Sequence, residues 1–107
     1  MVQRGAVRVI PRSAITVAIE ESGAPKAYGV VANISEAGAC IWTDASLQTG
    51  GAVNLRLSFP RGSQPLLSEG VVVWGDPGRG TRRFGLRWTD QSEARRDRVK
   101  RMLATSV

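Results

Sequence analysis

Apolar and polar positions alternate along most of this chain in short runs, with the period of two that places side chains on opposite faces of a β-strand. Over residues 13–20, Ile15, Val17 and Ile19 share one face, while Ala14, Thr16, Ala18 and Glu20 share the other. Ser22-Gly23-Ala24-Pro25 breaks that run. A second strand is predicted over 27–34, with Tyr28, Val30, Ala32 and Ile34 on one face, and a third over 39–43. Between them lies a polar turn, Asn33-Ile34-Ser35-Glu36-Ala37-Gly38. The clearest alternation covers 52–59, with Val53, Leu55, Leu57 and Phe59 inward against Ala52, Asn54, Arg56 and Ser58. Strands over about 66–74 and 82–88 follow, separated from their neighbours by turns rich in Pro and Gly. In the last, Phe84, Leu86 and Trp88 face one way and Arg83, Gly85 and Arg87 the other.

After the sixth strand the period changes. Asp90 with Glu93 three residues on reads as a capping box, and Val99, Met102 and Leu103 fall at helical spacing, so a helix is predicted over 90–104. Six consecutive strands with turns between them indicate an antiparallel barrel or sandwich, closed by a helix whose narrow apolar stripe can dock on it. At 107 residues this makes one domain: an arginine-rich, flexible arm over 1–12, the β body over 13–88, and the helix.

Composition mainly removes options. The chain has no histidine and one cysteine, which excludes imidazole catalysis and any plausible zinc site. Cys40, in an apolar run, reads as a small buried hydrophobe. Glu20 and Glu21 are adjacent, so on a strand they point to opposite faces and do not form a working carboxylate pair. The glycine-rich segment 75–80 matches neither phosphate-loop pattern. Binding, not catalysis, is the expected class. No run approaches the roughly 20 apolar residues of a membrane span and no signal-peptide pattern opens the chain, so a cytoplasmic protein without membrane insertion is expected.

Charge adds a direction. The net charge is +6. Residues 1–12 carry three arginines and no acid, residues 91–107 carry an excess of three positive charges, and the body between is neutral. Two positive ends on a neutral body favour an anionic partner. Arginine pairs at i, i+4 occur four times, at Arg4/Arg8, Arg8/Arg12, Arg79/Arg83 and Arg83/Arg87, so that pattern alone selects nothing. N-x-S-x-x-G occurs once, at Asn33, Ser35 and Gly38, where the glycine serves either a positive φ or a close backbone approach. Order carries the information: R-x-x-P-R precedes the first strand, and N-x-S-x-x-G joins the second to the third.

With both motifs in that order, and with Val71-Val72-Val73-Trp74 and Phe84-Gly85-Leu86-Arg87-Trp88 placed as later strands, the sequence resembles the PilZ domain family. The resemblance implies a mainly β fold, a six-stranded antiparallel β-barrel with a C-terminal α-helix, and binding of the bacterial second messenger cyclic di-GMP. It implies Arg8, Arg12, Asn33, Ser35 and Gly38 as ligand residues. Arg8/Arg12 is preferred over Arg4/Arg8 because Pro11 and the following strand match the family's continuation, with Arg4 kept as an auxiliary. A stand-alone domain of this kind is expected to act through an unidentified protein effector, by rearrangement of its N-terminal arm. Guanidinium groups suit such a ligand, since they fork onto phosphate oxygens or a guanine edge and stack on bases. Trp74 and Trp88 are read as core, Trp42 as close enough to line the site, and Arg83 and Arg87 as a positive patch on one strand face, in the first place solvated surface and in the second auxiliaries to a phosphate. Two other readings stay open: a basic small barrel that binds nucleic acid, and a PilZ-like adaptor that binds no nucleotide.

Overall fold

Two three-stranded meanders build the molecule in a computed structural model that describes residues 8–60 and 64–106. The first comprises β1 (Thr16–Glu21), β2 (Ala24–Ile34) and β3 (Gly38–Thr43). The second comprises β4 (Ala52–Ser58), β5 (Leu66–Gly75) and β6 (Arg82–Trp88), followed by α1 (Glu93–Ser106). Every pairing is antiparallel. β4 pairs with β1 and β6 pairs with β3, so the two meanders join at both edges into a closed barrel of order β1-β2-β3-β6-β5-β4. Among the described residues closure leaves no edge strand.

The interior is filled by the inward residues of each strand. Ile15, Val17, Ile41, Leu55, Leu57, Leu66, Val72 and Trp88 are all almost completely buried. Val99 and Leu103 of α1 belong to the same core, and Met102 packs against it, so the helix closes one end of the barrel along the predicted stripe. Its start differs from the capping box at Asp90. Ser92 is the cap: its hydroxyl accepts the Arg95 N–H at 3.3 Å and its carbonyl accepts from Arg96 at 3.0 Å. Asp90 lies two residues before the cap, and its carboxylate is engaged by the Ser92 N–H at 2.9 Å.

Three register shifts reshape the simple alternation. Between Ile19 and Glu20 the pairing skips Lys26 of β2, which places Pro25 beside a bulge, where its missing N–H does no harm. The first reversal is therefore tighter than the predicted four-residue break: Glu21 pairs with Ala24, and only Ser22 (φ 54°) and Gly23 (φ 80°) form the turn. The other two bulges lie in β2, between Val31 and Asn33, and in β5, between Val72 and Trp74. Each inserts one residue, Ala32 or Val73, and exchanges the inner and outer faces for the remainder of its strand.

These two bulges correct the face assignments. Tyr28 and Val30 are exposed, and the bulge brings Val31 and Ile34 into the core together. Trp88 is core as expected, but Trp74 is 41% exposed. With Val72 inward, unbroken alternation would turn Trp74 inward as well; the extra residue Val73 turns it out.

Candidate functional site

The arginine segment and the turn motif meet beside β2. Val9 and Ile34 exchange two backbone hydrogen bonds, at 2.8 and 2.9 Å, an isolated bridge that lays the chain before β1 against the end of β2. From there Arg8 Nη1 donates to Asn33 Oδ1 at 2.7 Å, across 25 residues of sequence. Arg12 is exposed and forms no hydrogen bond or ion pair with the described residues. Arg4 lies outside the described residues.

Ser35 and Gly38 build the turn itself. Ser35 N–H donates to the Gly38 carbonyl at 2.8 Å, and Ser35 Oγ accepts the Ala37 N–H at 3.1 Å. Ser35 is 1% exposed, so its hydroxyl is committed to the turn rather than presented on the surface. Gly38 does not take a positive φ; it is required for space, since a Cβ there would lie 2.1 Å from the Leu86 carbonyl oxygen of β6. Trp88 braces the turn from inside, donating Nε1–H to the Ser35 carbonyl at 3.1 Å and its backbone N–H to the Ala37 carbonyl at 2.9 Å. Gln91 Nε2 also donates to Ala37, at 3.0 Å. Glu36 faces α1, where it accepts from Arg96 at 2.5 Å and pairs with Lys100 at 3.2 Å. The Arg96 hydrogen bond holds the Glu36 carboxyl below its ordinary pKa, against the opposing effect of desolvation, with Lys100 adding to the stabilisation.

Outward from this turn, one row crosses four strands. Asn33 pairs with Cys40, Cys40 with Gly85, and Gly85 with Trp74. Both row ends follow a bulge, and the residues between are small. The Trp74 indole lies over Gly85, where a Cβ would meet its Nε1 at 2.0 Å. In the adjacent row Val30 pairs with Trp42 and Trp42 with Arg83. The Arg83 guanidinium stands 5.7 Å from the Trp42 ring centroid and 5.8 Å from that of Trp74, within cation–π range of both. Asp76 Oδ2 accepts from Arg83 Nε at 3.0 Å, which lowers the Asp76 pKa and raises that of Arg83. Arg87, paired in register with Gly38, is exposed on the same wall.

The wall is positive and flat-faced. Arg83 stands against two aromatic rings, Arg8 and Arg87 add charge to the same wall, and the one carboxylate among these groups, Asp76, already has a partner. Cys40 is 4% exposed at its centre; burial pushes its thiol pKa up, and the charges of Arg83 and Arg8 oppose that only in part. It remains the inert small residue expected from sequence. A wider cleft of about 990 Å³ opens at the opposite end of the barrel, lined by Glu20, Glu21, Lys26, Asp44, Leu47 and Val53 among others. Its three carboxylates suit an anion poorly, so charge favours the open wall over the larger cavity. Among the described residues no three His, Cys, Asp or Glu side chains gather as metal ligands, and no helix is long and apolar enough to cross a membrane.

The model of one protein family, the PilZ domain, matches residues 3–105. The chain belongs to the PilZ domain family. No curated protein matches it. Among solved structures, it is similar to the PilZ domain with cyclic di-GMP of YcgR from Escherichia coli, with a TM-score of 0.76 at 11% identity, covering 97% of this chain and 91% of that one. It is also similar to YcgR in complex with cyclic di-GMP from Escherichia coli, with a TM-score of 0.73 at 12% identity and coverage of 96% and 45%. A third likeness is to the Bacillus subtilis inhibitor of motility, MotI/DgrA, with a TM-score of 0.67 at 21% identity and coverage of 97% and 53%. The chain thus spans about half the length of the last two. At these identities the likeness is one of fold: a PilZ barrel with its C-terminal helix.

Trp74 is the wall residue whose outward face alternation missed. A period-two pattern assigns it to the core, and no composition signal marks the bulge at Val73. The available sign was Gly85, a glycine in mid-strand, which often marks close approach of another group.

Proposed function

We propose that this PilZ domain is a receptor for cyclic di-GMP, which it binds on the outer wall of β2, β3, β6 and β5. The observation that carries this reading is the hydrogen bond from Arg8 to Asn33, which joins the two motif segments into one surface. Arg8 and Arg12 supply guanidinium forks for the phosphodiesters or the guanine O6 and N7 edge. Asn33 offers an amide at the foot of the same surface. Ser35 and Gly38 act by holding the turn close to β6, so that Asn33 is presented from a rigid support. Trp42 and Trp74 supply flat faces, Arg83 and Arg87 add positive charge, and Arg4 is an auxiliary from the preceding segment.

The structural relatives from Escherichia coli hold cyclic di-GMP, which supports the choice of ligand. Binding in the cytoplasm then alters the segment that carries Arg8 and Arg12, and with it the surface offered to a protein partner. The domain binds and does not catalyse.

Titration calorimetry with cyclic di-GMP, GTP and a linear dinucleotide tests this. Saturable binding of the cyclic ligand, with the others weaker, is expected. Arg8→Ala and Arg12→Ala each lower affinity by about tenfold or more, as the loss of one charge-assisted contact of roughly 1.5–3 kcal/mol requires. Absence of binding to the wild type, or wild-type affinity in both variants, rejects the reading.

A further inference from the structure

Arg83 is the most constrained cation on the binding wall, and the constraint has two parts. Its guanidinium sits between the indoles of Trp42 and Trp74 at nearly equal distance. Its Nε is taken by Asp76 Oδ2 at 3.0 Å. Asp76 is itself fixed by the hairpin, since its N–H donates to the Arg83 carbonyl at 2.9 Å. The pair is therefore tied at both backbone and side chain, at the end of the β5–β6 ladder. Around half of the Arg83 side chain is nevertheless exposed, with the Asp76 side chain 32% exposed. The ion pair faces solvent on the surface where an anion is to bind.

A carboxylate and a phosphodiester offer a guanidinium the same thing: two anionic oxygens, able to accept parallel N–H donors. Asp76 occupies one donor position of Arg83 that a phosphate would use. Resting on the reading of this wall as the cyclic di-GMP site, we propose that Asp76 is a built-in competitor for the ligand: it holds Arg83 in the aromatic slot while the site is empty, and a ligand phosphate takes Arg83 from it on binding. Arg83 then changes partner while it keeps its place between the two indoles. Asp76 is a positioning residue that acts through Arg83; its removal strengthens binding instead of weakening it. An exposed ion pair contributes modestly in water, which sets the size of the effect.

The test is a double-mutant cycle read by calorimetry with cyclic di-GMP on the full chain, with the melting temperature of each variant recorded. Asp76→Asn keeps the backbone bond to Arg83 and removes the charge; it is expected to bind about two- to fivefold tighter than wild type. Asp76→Ser, a second variant lacking the carboxylate, is expected to shift affinity in the same direction. Arg83→Ala is expected to weaken binding, and in that background Asp76→Asn is expected to change nothing. Unchanged or weaker binding by both Asp76 variants overturns the proposal. So does tightening by Asp76→Asn that persists undiminished without Arg83, because it would reflect only a general gain of positive potential. If wild type does not bind the ligand, the reading of the wall fails and the competitor role fails with it; wild-type binding with an unresponsive Asp76 overturns the competitor role alone.

Discussion

Ser22–Gly23 and Asn33–Gly38 both reverse the chain between neighbouring antiparallel strands, yet they are held in place by different forces. The first is a local device. Both residues take positive φ, both are exposed, and a Cβ added at Gly23 would meet nothing within 4 Å. The second has every residue from Ile34 to Gly38 buried, and its carbonyls receive hydrogen bonds from Trp88 and Gln91, more than 50 residues away in sequence. Polar turns are usually surface features, because buried backbone groups need partners. Here Trp88 of β6 and Gln91 after it supply those partners, while α1 engages the Glu36 side chain, so a turn of ordinary composition becomes a rigid support for Asn33. Rigidity of that support matters for a binding site, since a side chain already in position loses less entropy when it engages a ligand.

Glycine substitutions separate the two turns most sharply. Gly38→Ala drives a methyl group into the Leu86 backbone, which cannot move without breaking the β3–β6 ladder. A loss of about 3 kcal/mol or more in urea unfolding is expected, with ligand binding lost at temperatures where the hairpin opens. A variant of wild-type stability would mean that the turn is not packed as described. Gly23→Ala suffers only the cost of a left-handed backbone, about 1–2 kcal/mol, and should leave the affinity for cyclic di-GMP unchanged.

The smallest effect is expected at Glu36, and it is marked by its pH dependence. Glu36 joins the turn to α1 through Arg96 and Lys100, whose side chains are 40% and 61% exposed, so solvent screens the pair. The folded carboxyl has a pKa below its ordinary value of 4.5, and its contribution is therefore fully present above that value. It is lost as pH falls through the lower, folded pKa. Glu36→Gln should be less stable than wild type near neutral pH, by less than either glycine variant, and the difference should close on acidification. Thermal melts at neutral pH and below pH 4.5 check this; a gap that stays constant would mean that the ion pair does not stabilise the fold.

The two tryptophans of the second meander extend the contrast to the outer wall. Trp74 and Trp88 look alike in sequence, each at the end of a Val- or Leu-bearing strand run, and both are expected in the core. Trp88 is there, and its indole N–H serves the buried turn. Trp74 is outside, over Gly85, because a single inserted residue reversed its face. The same device at Ala32 turns Asn33 outward to the wall and Ile34 inward to the core.

Much of this protein is dictated by local chemistry. Period-two alternation sets the six strands, helical spacing sets the stripe of Val99, Met102 and Leu103, and the order of the two motifs points to the family and to Arg8 and Asn33. The strands and the stripe depend on residues near one another in the chain, where periodicity and turn preference act directly, and the motifs are read from their order along it. Three others needed the assembled barrel. Closure depends on β4 meeting β1 and β6 meeting β3, contacts between segments far apart in sequence. The bulges depend on how neighbouring strands register, and one extra residue leaves composition almost unchanged. The roles of Ser35 and Gly38 depend on Trp88, Leu86 and α1, which come close to them only when the sheet has closed. A strand's inner and outer faces are set by its partners as well as by its own pattern, which is why Trp74 reached the wall against the reading of its own residues.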